Sequence, residues 1–146
     1  MPFRILIADD HAMIRAVLRN LLEAHAGWEV CGEAHDGREA VKKTAQLKPD
    51  LVILDLAMPG MDGLSAAKEI AAASPKLPIV FHTNHASEAL ARLAKKMGIR
   101  QVIGKGAGNQ ELIDAIEALA PRASRKSEQN GSTGMLPQGR FSEVPV

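Results

Sequence analysis

Short, uninterrupted apolar runs alternate along this chain with longer stretches in which apolar residues recur every three or four positions. The runs cover Phe3–Ala8, 29–34, Leu51–Leu54, 79–82 and Gln101–Gly104. Ile5-Leu6-Ile7-Ala8 and Leu51-Val52-Ile53-Leu54 contain no alternating polar residue, the pattern of strands covered on both faces. The run over 29–34 is more polar and fits a sheet edge. Among the helical stretches, the first carries Ile14, Val17, Leu18, Leu21 and Leu22 as one stripe, and the second spans 38–47. The third places Leu64, Ala67, Ile70 and Ala71 on one side, with Asp62 positioned to cap its start. The fourth repeats the pattern with Leu90, Leu93, Ala94 and Met97, and Gly98 can end it in a left-handed turn. The fifth, Asn109–Leu119, presents Leu112, Ile113, Ile116 and Leu119 before Pro121 stops it. This alternation predicts an α/β fold, a five-stranded parallel sheet with helices on both faces. No motif recurs between the units, so the sheet is wound and not a solenoid.

Composition narrows the setting. The chain has 146 residues, 46% of them hydrophobic and 24% charged, which suits one compact domain over residues 1–120. From Pro121 the sequence turns polar and aperiodic, and 121–146 is expected to be a disordered tail or linker. Lys and Arg number 18 against 17 Asp and Glu, which gives no basic excess for binding nucleic acid. No apolar run approaches the roughly 20 residues of a membrane span. Cys31 is the only cysteine, so no internal disulfide forms, and with no signal peptide in sight a cytoplasmic setting is expected. Aromatic residues are limited to Phe3, Phe81, Phe141 and Trp28, so the core has to be aliphatic.

The reactive groups fall at the ends of the strands. The first run leads into Asp9-Asp10, the third into Asp55, the fourth into Thr83 and the fifth into Lys105. In open parallel sheets, ligands bind beyond the carboxyl ends of the strands, where the strand order reverses. With the order 2-1-3-4-5, all five residues converge on one mouth. Three carboxylates without a nearby cysteine favour a hard ion that keeps several waters, Mg²⁺ rather than Zn²⁺. Lys105 adds a compact positive charge and Thr83 a hydroxyl donor, which together describe a phosphoryl site. No Ser-His or Cys-His pair sits at these strand ends, so the nucleophile has to be a carboxylate. Taken singly, each residue has a plainer reading: Asp10 or Thr83 as a cap, Asp55 as a turn acid, Lys105 as a solvated surface residue. His11, His82 and His85 lack metal-ligand spacing and are read as structural.

Asp9-Asp10-His11, the segment Leu54-Asp55-Leu56-Ala57-Met58-Pro59-Gly60-Met61-Asp62-Gly63, Thr83 and Lys105 together resemble the receiver domain of bacterial two-component response regulators. The likeness runs over about residues 3–119. It implies the flavodoxin-like receiver fold and a phosphorylation-activated signalling function. Asp55 would accept a phosphoryl group from the phosphohistidine of a sensor histidine kinase or a histidine phosphotransfer protein. Asp9, Asp10, Asp55 and the main-chain carbonyl of Ala57 would hold Mg²⁺. Lys105 would bind the phosphoryl oxygens, Thr83 would follow them, and a conformational switch would signal to a downstream protein. A monomer or a weak phosphorylation-dependent dimer is implied. The stretches 17–23, 29–34 and 36–41, and His85, are similar to the subgroup that usually carries a LuxR-type helix-turn-helix. Nothing after Pro121 resembles that output domain, which leaves a second reading, the receiver half of a DNA-binding regulator. Another alternative is a Mg²⁺-dependent phosphohydrolase working through an aspartyl-phosphate. Such enzymes usually place a second carboxylate two residues after the nucleophile, and Ala57 occupies that position. Two positions depart from the family pattern: Val102 stands where Tyr or Phe is usual, and Gly106 follows Lys105 where Pro is frequent.

Overall fold

A computed structural model describes residues 1–99 and 101–120. The expected tail, 121–146, lies outside the described residues. In chain order the elements are β1 (Phe3–Ala8), α1 (Ala12–Glu23), β2 (Trp28–Ala34), α2 (Gly37–Leu47), β3 (Leu51–Leu54), α3 (Gly63–Ala73), β4 (Ile79–Thr83), α4 (Glu88–Lys96), β5 (Gln101–Gly104) and α5 (Asn109–Leu119). All strand pairings are parallel and the order is β2-β1-β3-β4-β5. The α/β reading and the predicted strand order therefore hold.

The side-chain period of two along each strand divides the core into two halves. Ile5, Ile7, Leu51, Ile53, Val80 and Ile103 face Leu18, Leu22, Leu112 and Ile116 of α1 and α5. On the other face, Leu6, Ala8, Val52, Leu54, Ile79 and Phe81 pack on Ala40, Ala66, Ala67, Ile70 and Ala94 of α2, α3 and α4. Alanines on the second face let three helices approach the sheet closely, and Phe81 fills the remaining space.

The boundaries shift only slightly. β2 begins at Trp28, β4 continues through Thr83 and α2 starts at Gly37. Asp62 caps α3 as expected, accepting from Ser65 N at 2.8 Å, and Asp36 does the same for α2 through Glu39 N. Gly98 takes φ +82° after α4, the predicted left-handed end. Two stripe residues stay out of the core: Val17 is 49% exposed and Leu93 is 42% exposed. In α4 only Ala94 is buried, so that helix is held more loosely than its periodicity suggests. The β1–β2 register slips between Ile5 and Leu6, skipping Cys31, before Ala8 pairs with Ala34. β1 ends at Ala8, immediately before the acidic pair.

Candidate functional site

β1 lies between β2 and β3, and main-chain bonds level the three ends: Asp9 N donates to Ala34 O of β2 at 3.0 Å, and Asp55 N, just past β3, to Ala8 O at 2.9 Å. Asp9 and Asp55 are consequently buried side by side at the carboxyl edge of the sheet, and Thr83 is fully buried at the end of β4. Lys105, just past β5, reaches back across this edge. Its ammonium lies 2.8 Å from Asp9 Oδ2 and 3.2 Å from Asp55 Oδ2, with only 10% of the side chain exposed. Burial pulls the Lys105 pKa down, but hydrogen bonds and charge from Asp9, then Asp55, outweigh it and hold it above the ordinary lysine value. The reading of Lys105 as a solvated surface residue does not hold.

The other plain readings fare differently. Asp10 is not the cap of α1: His11 occupies that position, without a side-chain cap bond. Thr83 does take a local bond, its Oγ1 accepting from His85 N at 3.0 Å, which leaves the hydroxyl proton for another partner. Asp55 Oδ1 accepts a long bond of 3.4 Å from Ala57 N.

The loop after Asp55 is fixed from two sides by glycines that tolerate no side chain. A Cβ at Gly63 would stand 2.2 Å from the Asp55 carbonyl oxygen and 2.6 Å from Leu56 Cα. One at Gly37 would stand 2.1 Å from Met61 O. The starts of α2 and α3 thus press directly on the backbone that presents Asp55, and Gly63 N donates to Leu56 O at 2.9 Å.

Two residues that motif spacing did not single out belong to this site. Arg15, on α1, donates from Nη1 to the Asp9 carbonyl at 2.7 Å and from Nε to Glu33 Oε1 at 2.9 Å. Glu33 also accepts from Arg19 Nε at 2.8 Å. That bond, against the opposing effect of burial and with Arg15 assisting, lowers the Glu33 pKa. Arg15 therefore ties the turn carrying the acidic pair to the edge strand. His11 is the second. Its ring Nδ1 lies 3.3 Å from Asp9 Oδ1 and 3.1 Å from Asp10 Oδ1. Among the described residues, Asp9, Asp10, His11 and Asp55 form a cluster whose candidate ligand atoms all lie within 4.8 Å of one another. Only the adjacency of His11 to Asp9-Asp10 at a strand end could have signalled this, because a spacing rule looks for imidazoles one helical turn apart. His82 and His85 do not join the cluster.

The mouth suits a divalent cation. Three carboxylates face a single ammonium, and Asp10 Oδ1 is buried without any hydrogen-bond partner. The oxygen-rich donor set matches a hard ion that retains water.

The chain matches the response regulator receiver domain over residues 5–117. It is 38% identical over 120 residues to the chemotaxis protein CheY of Thermotoga maritima, covering 82% of this chain and 99% of that one. It is 36% identical over 115 residues to the response regulator UvrY of Escherichia coli, covering 79% of this chain and 53% of UvrY, so it spans about half of that longer relative. A two-component response regulator of the LuxR family from Aurantimonas sp. SI85-9A1 has a similar structure, with a TM-score of 0.78, 29% identity and coverage of 90% and 100%. The chain belongs to the response regulator receiver domains, the phosphorylation-activated signalling domains of two-component systems.

Proposed function

We propose that Asp55 is the phosphoryl acceptor, that Asp9 and Asp10 with Asp55 and the Ala57 carbonyl hold Mg²⁺, and that Lys105 and Thr83 bind and read the transferred group. The observation that carries this reading is the reach of Lys105. A buried ammonium held 3.2 Å from the Asp55 carboxylate and 2.8 Å from Asp9 is already in place to take phosphoryl oxygens without reorganisation.

In the proposed transfer, an Asp55 oxygen attacks the phosphorus of a donor phosphohistidine. The new O–P bond forms as the P–N bond breaks, and the donor imidazole departs with that electron pair. Bound Mg²⁺ would supply charge neutralisation for the phosphoryl oxygens. Asp9 and Asp10 supply ligands, Lys105 contacts an oxygen, and the glycine-pinned loop keeps Asp55 at the mouth. The donor is a sensor histidine kinase or a histidine phosphotransfer protein, in a cytoplasmic setting. Among the described residues, no helix is long and apolar enough to cross a membrane. The phosphohydrolase reading lacks support because Ala57 offers no carboxyl group for leaving-group chemistry.

Phosphorylation exchanges one carboxylate charge for roughly two at neutral pH. A charge-assisted bond from Thr83 is worth about 1.5–3 kcal/mol, whereas moving an equilibrium from nearly off to nearly on takes about 5.5 kcal/mol. Val102, where receivers usually carry an aromatic, is only partly buried among the α4-side cluster. The switch in this chain is accordingly shallow unless a downstream protein adds binding energy.

Acetyl phosphate with Mg²⁺ tests the acceptor. Wild type should gain the mass of one phosphoryl group and Asp55→Asn none; a gain that persists in the variant assigns the acceptor elsewhere. Beryllofluoride with size-exclusion chromatography distinguishes a monomer from a weak phosphorylation-dependent dimer.

A further inference from the structure

We infer that His11 is a ligand position of the divalent-cation site and shifts its preference from magnesium toward borderline cations such as Ni²⁺. The inference rests on the proposal that the acidic mouth binds a divalent ion, and not on the reactivity of Asp55.

His11 has extended backbone angles, φ −95° and ψ 112°, immediately before α1. Its amide donates to Asp9 Oδ1 at 2.9 Å, which folds the chain back over the acidic pair. The ring follows, bringing Nδ1 to 3.1 Å from Asp10 Oδ1 and 3.3 Å from Asp9 Oδ1. Asp10 Oδ1 is buried and has no hydrogen-bond donor, and the imidazole nitrogen is the group beside it. Nδ1 thus stands among the carboxylate oxygens of Asp9, Asp10 and Asp55, all within 4.8 Å of one another, close enough for one ion to be shared by the four groups. Nδ1 can bind the ion as the neutral tautomer protonated on Nε2, and the ring is 64% exposed, so water can satisfy that proton.

The donor class then fixes the selectivity. Magnesium prefers oxygen and surrenders water reluctantly, whereas imidazole binds later first-row cations more strongly, in the order that places Ni²⁺ above Mn²⁺. A site of three carboxylates and one imidazole discriminates less in favour of magnesium than carboxylates alone.

The test uses the full chain with Mn²⁺ alone as a spectroscopic probe, then Ni²⁺ and Mg²⁺ as competitors. Electron-spin-echo spectra of bound Mn²⁺ should show nitrogen modulation in wild type. In His11→Ala the modulation should disappear while Mn²⁺ still binds. The ratio of Ni²⁺ to Mg²⁺ affinity should fall by about tenfold or more, the lower end of what disturbing a metal ligand's support costs. His11→Gln, which keeps a polar side chain, should lose the nitrogen signal too and guards against a folding artefact in the alanine variant. Bound Mn²⁺ without nitrogen modulation in wild type overturns the inference. So does modulation that persists in His11→Ala, because it then comes from another imidazole, and so does an unchanged affinity ratio. Absence of any Mn²⁺ binding would sink the metal reading of the mouth itself. Failure of acetyl phosphate to modify Asp55, with nitrogen modulation intact, would sink only the acceptor assignment.

Discussion

The β1–β3 and β4–β5 sides of the molecule are built differently. On the β1–β3 side, Asp9 and Asp55 are buried, main-chain bonds hold the strand ends level, and glycines at 37 and 63 let α2 and α3 touch the loop backbone. On the β4–β5 side, α4 buries only Ala94, and a groove of about 560 Å³ opens between the later part of α4 and the start of β5, lined by Ala91, Lys95, Ile99, Gln101 and Val102 among others. Phosphoryl chemistry needs atoms held in place before the reaction, while a readout needs a part that can repack at low cost. The division places reactive geometry where packing is dense and response where it is loose.

The comparison breaks most visibly at the glycines. Gly63→Ala should cost about 3 kcal/mol or more, because backbone atoms and not a flexible side chain meet the new methyl group. Gly106, beside Lys105, has nothing within 4 Å of a built Cβ, so Gly106→Ala should change stability by at most about 0.5 kcal/mol. Urea unfolding of both variants measures the contrast, and equal effects would remove it.

Next in size is the acidic pair. Asp10 gains no direct contact from Lys105, so its charge works against the apo fold. Asp10→Asn should raise apo stability by about 1 kcal/mol at low salt, the size of one repulsion near 4 Å in water. The same variant should lose most of the stabilisation that Mg²⁺ gives wild type. Melting curves with and without the ion read both effects.

Val102→Phe probes the loose side. The groove has room for a ring, and the added apolar burial is worth about 1 kcal/mol. Amide spectra with and without beryllofluoride should differ more in the variant than in wild type; equal differences would show that an aromatic at 102 contributes nothing to the response.

The smallest expected effect is a pH slope. Burial, reinforced by the Lys105 charge and opposed by Asp9 and Asp55, holds the His82 imidazole below its ordinary pKa of 6.5. The unfolded chain therefore takes up a proton that the fold resists, so this contribution is complete above the histidine range and is lost as pH falls through it. His82→Leu should flatten stability between roughly pH 7 and 5, read as unfolding midpoints across that interval.

Much of this was legible in the letters. Strand ends at Ala8, Leu54 and Gly104 were readable because unbroken aliphatic runs meet charged or glycine residues there, and those ends carry the chemistry. Depth was less accessible. The spacing of Leu90, Leu93, Ala94 and Met97 defines a helix face, but β5 has four residues and gives that face little to cover, so Leu93 remains exposed. The stripe on α1 drew attention to its apolar residues, while Arg15, which holds the Asp9 carbonyl, sits between them. The glycines near Asp62 were readable as turn formers. Their closeness to the Asp55 carbonyl depends on how α3 docks, which no local pattern encodes.

The hydrogen at Gly63 has a mechanical consequence. With nothing larger between the first turn of α3 and the carbonyl of Asp55, that residue and helix move as one piece. Added charge at Asp55 has little slack to spend there, and whatever displacement it causes must travel outward along the neighbouring strands to the opposite end of the edge.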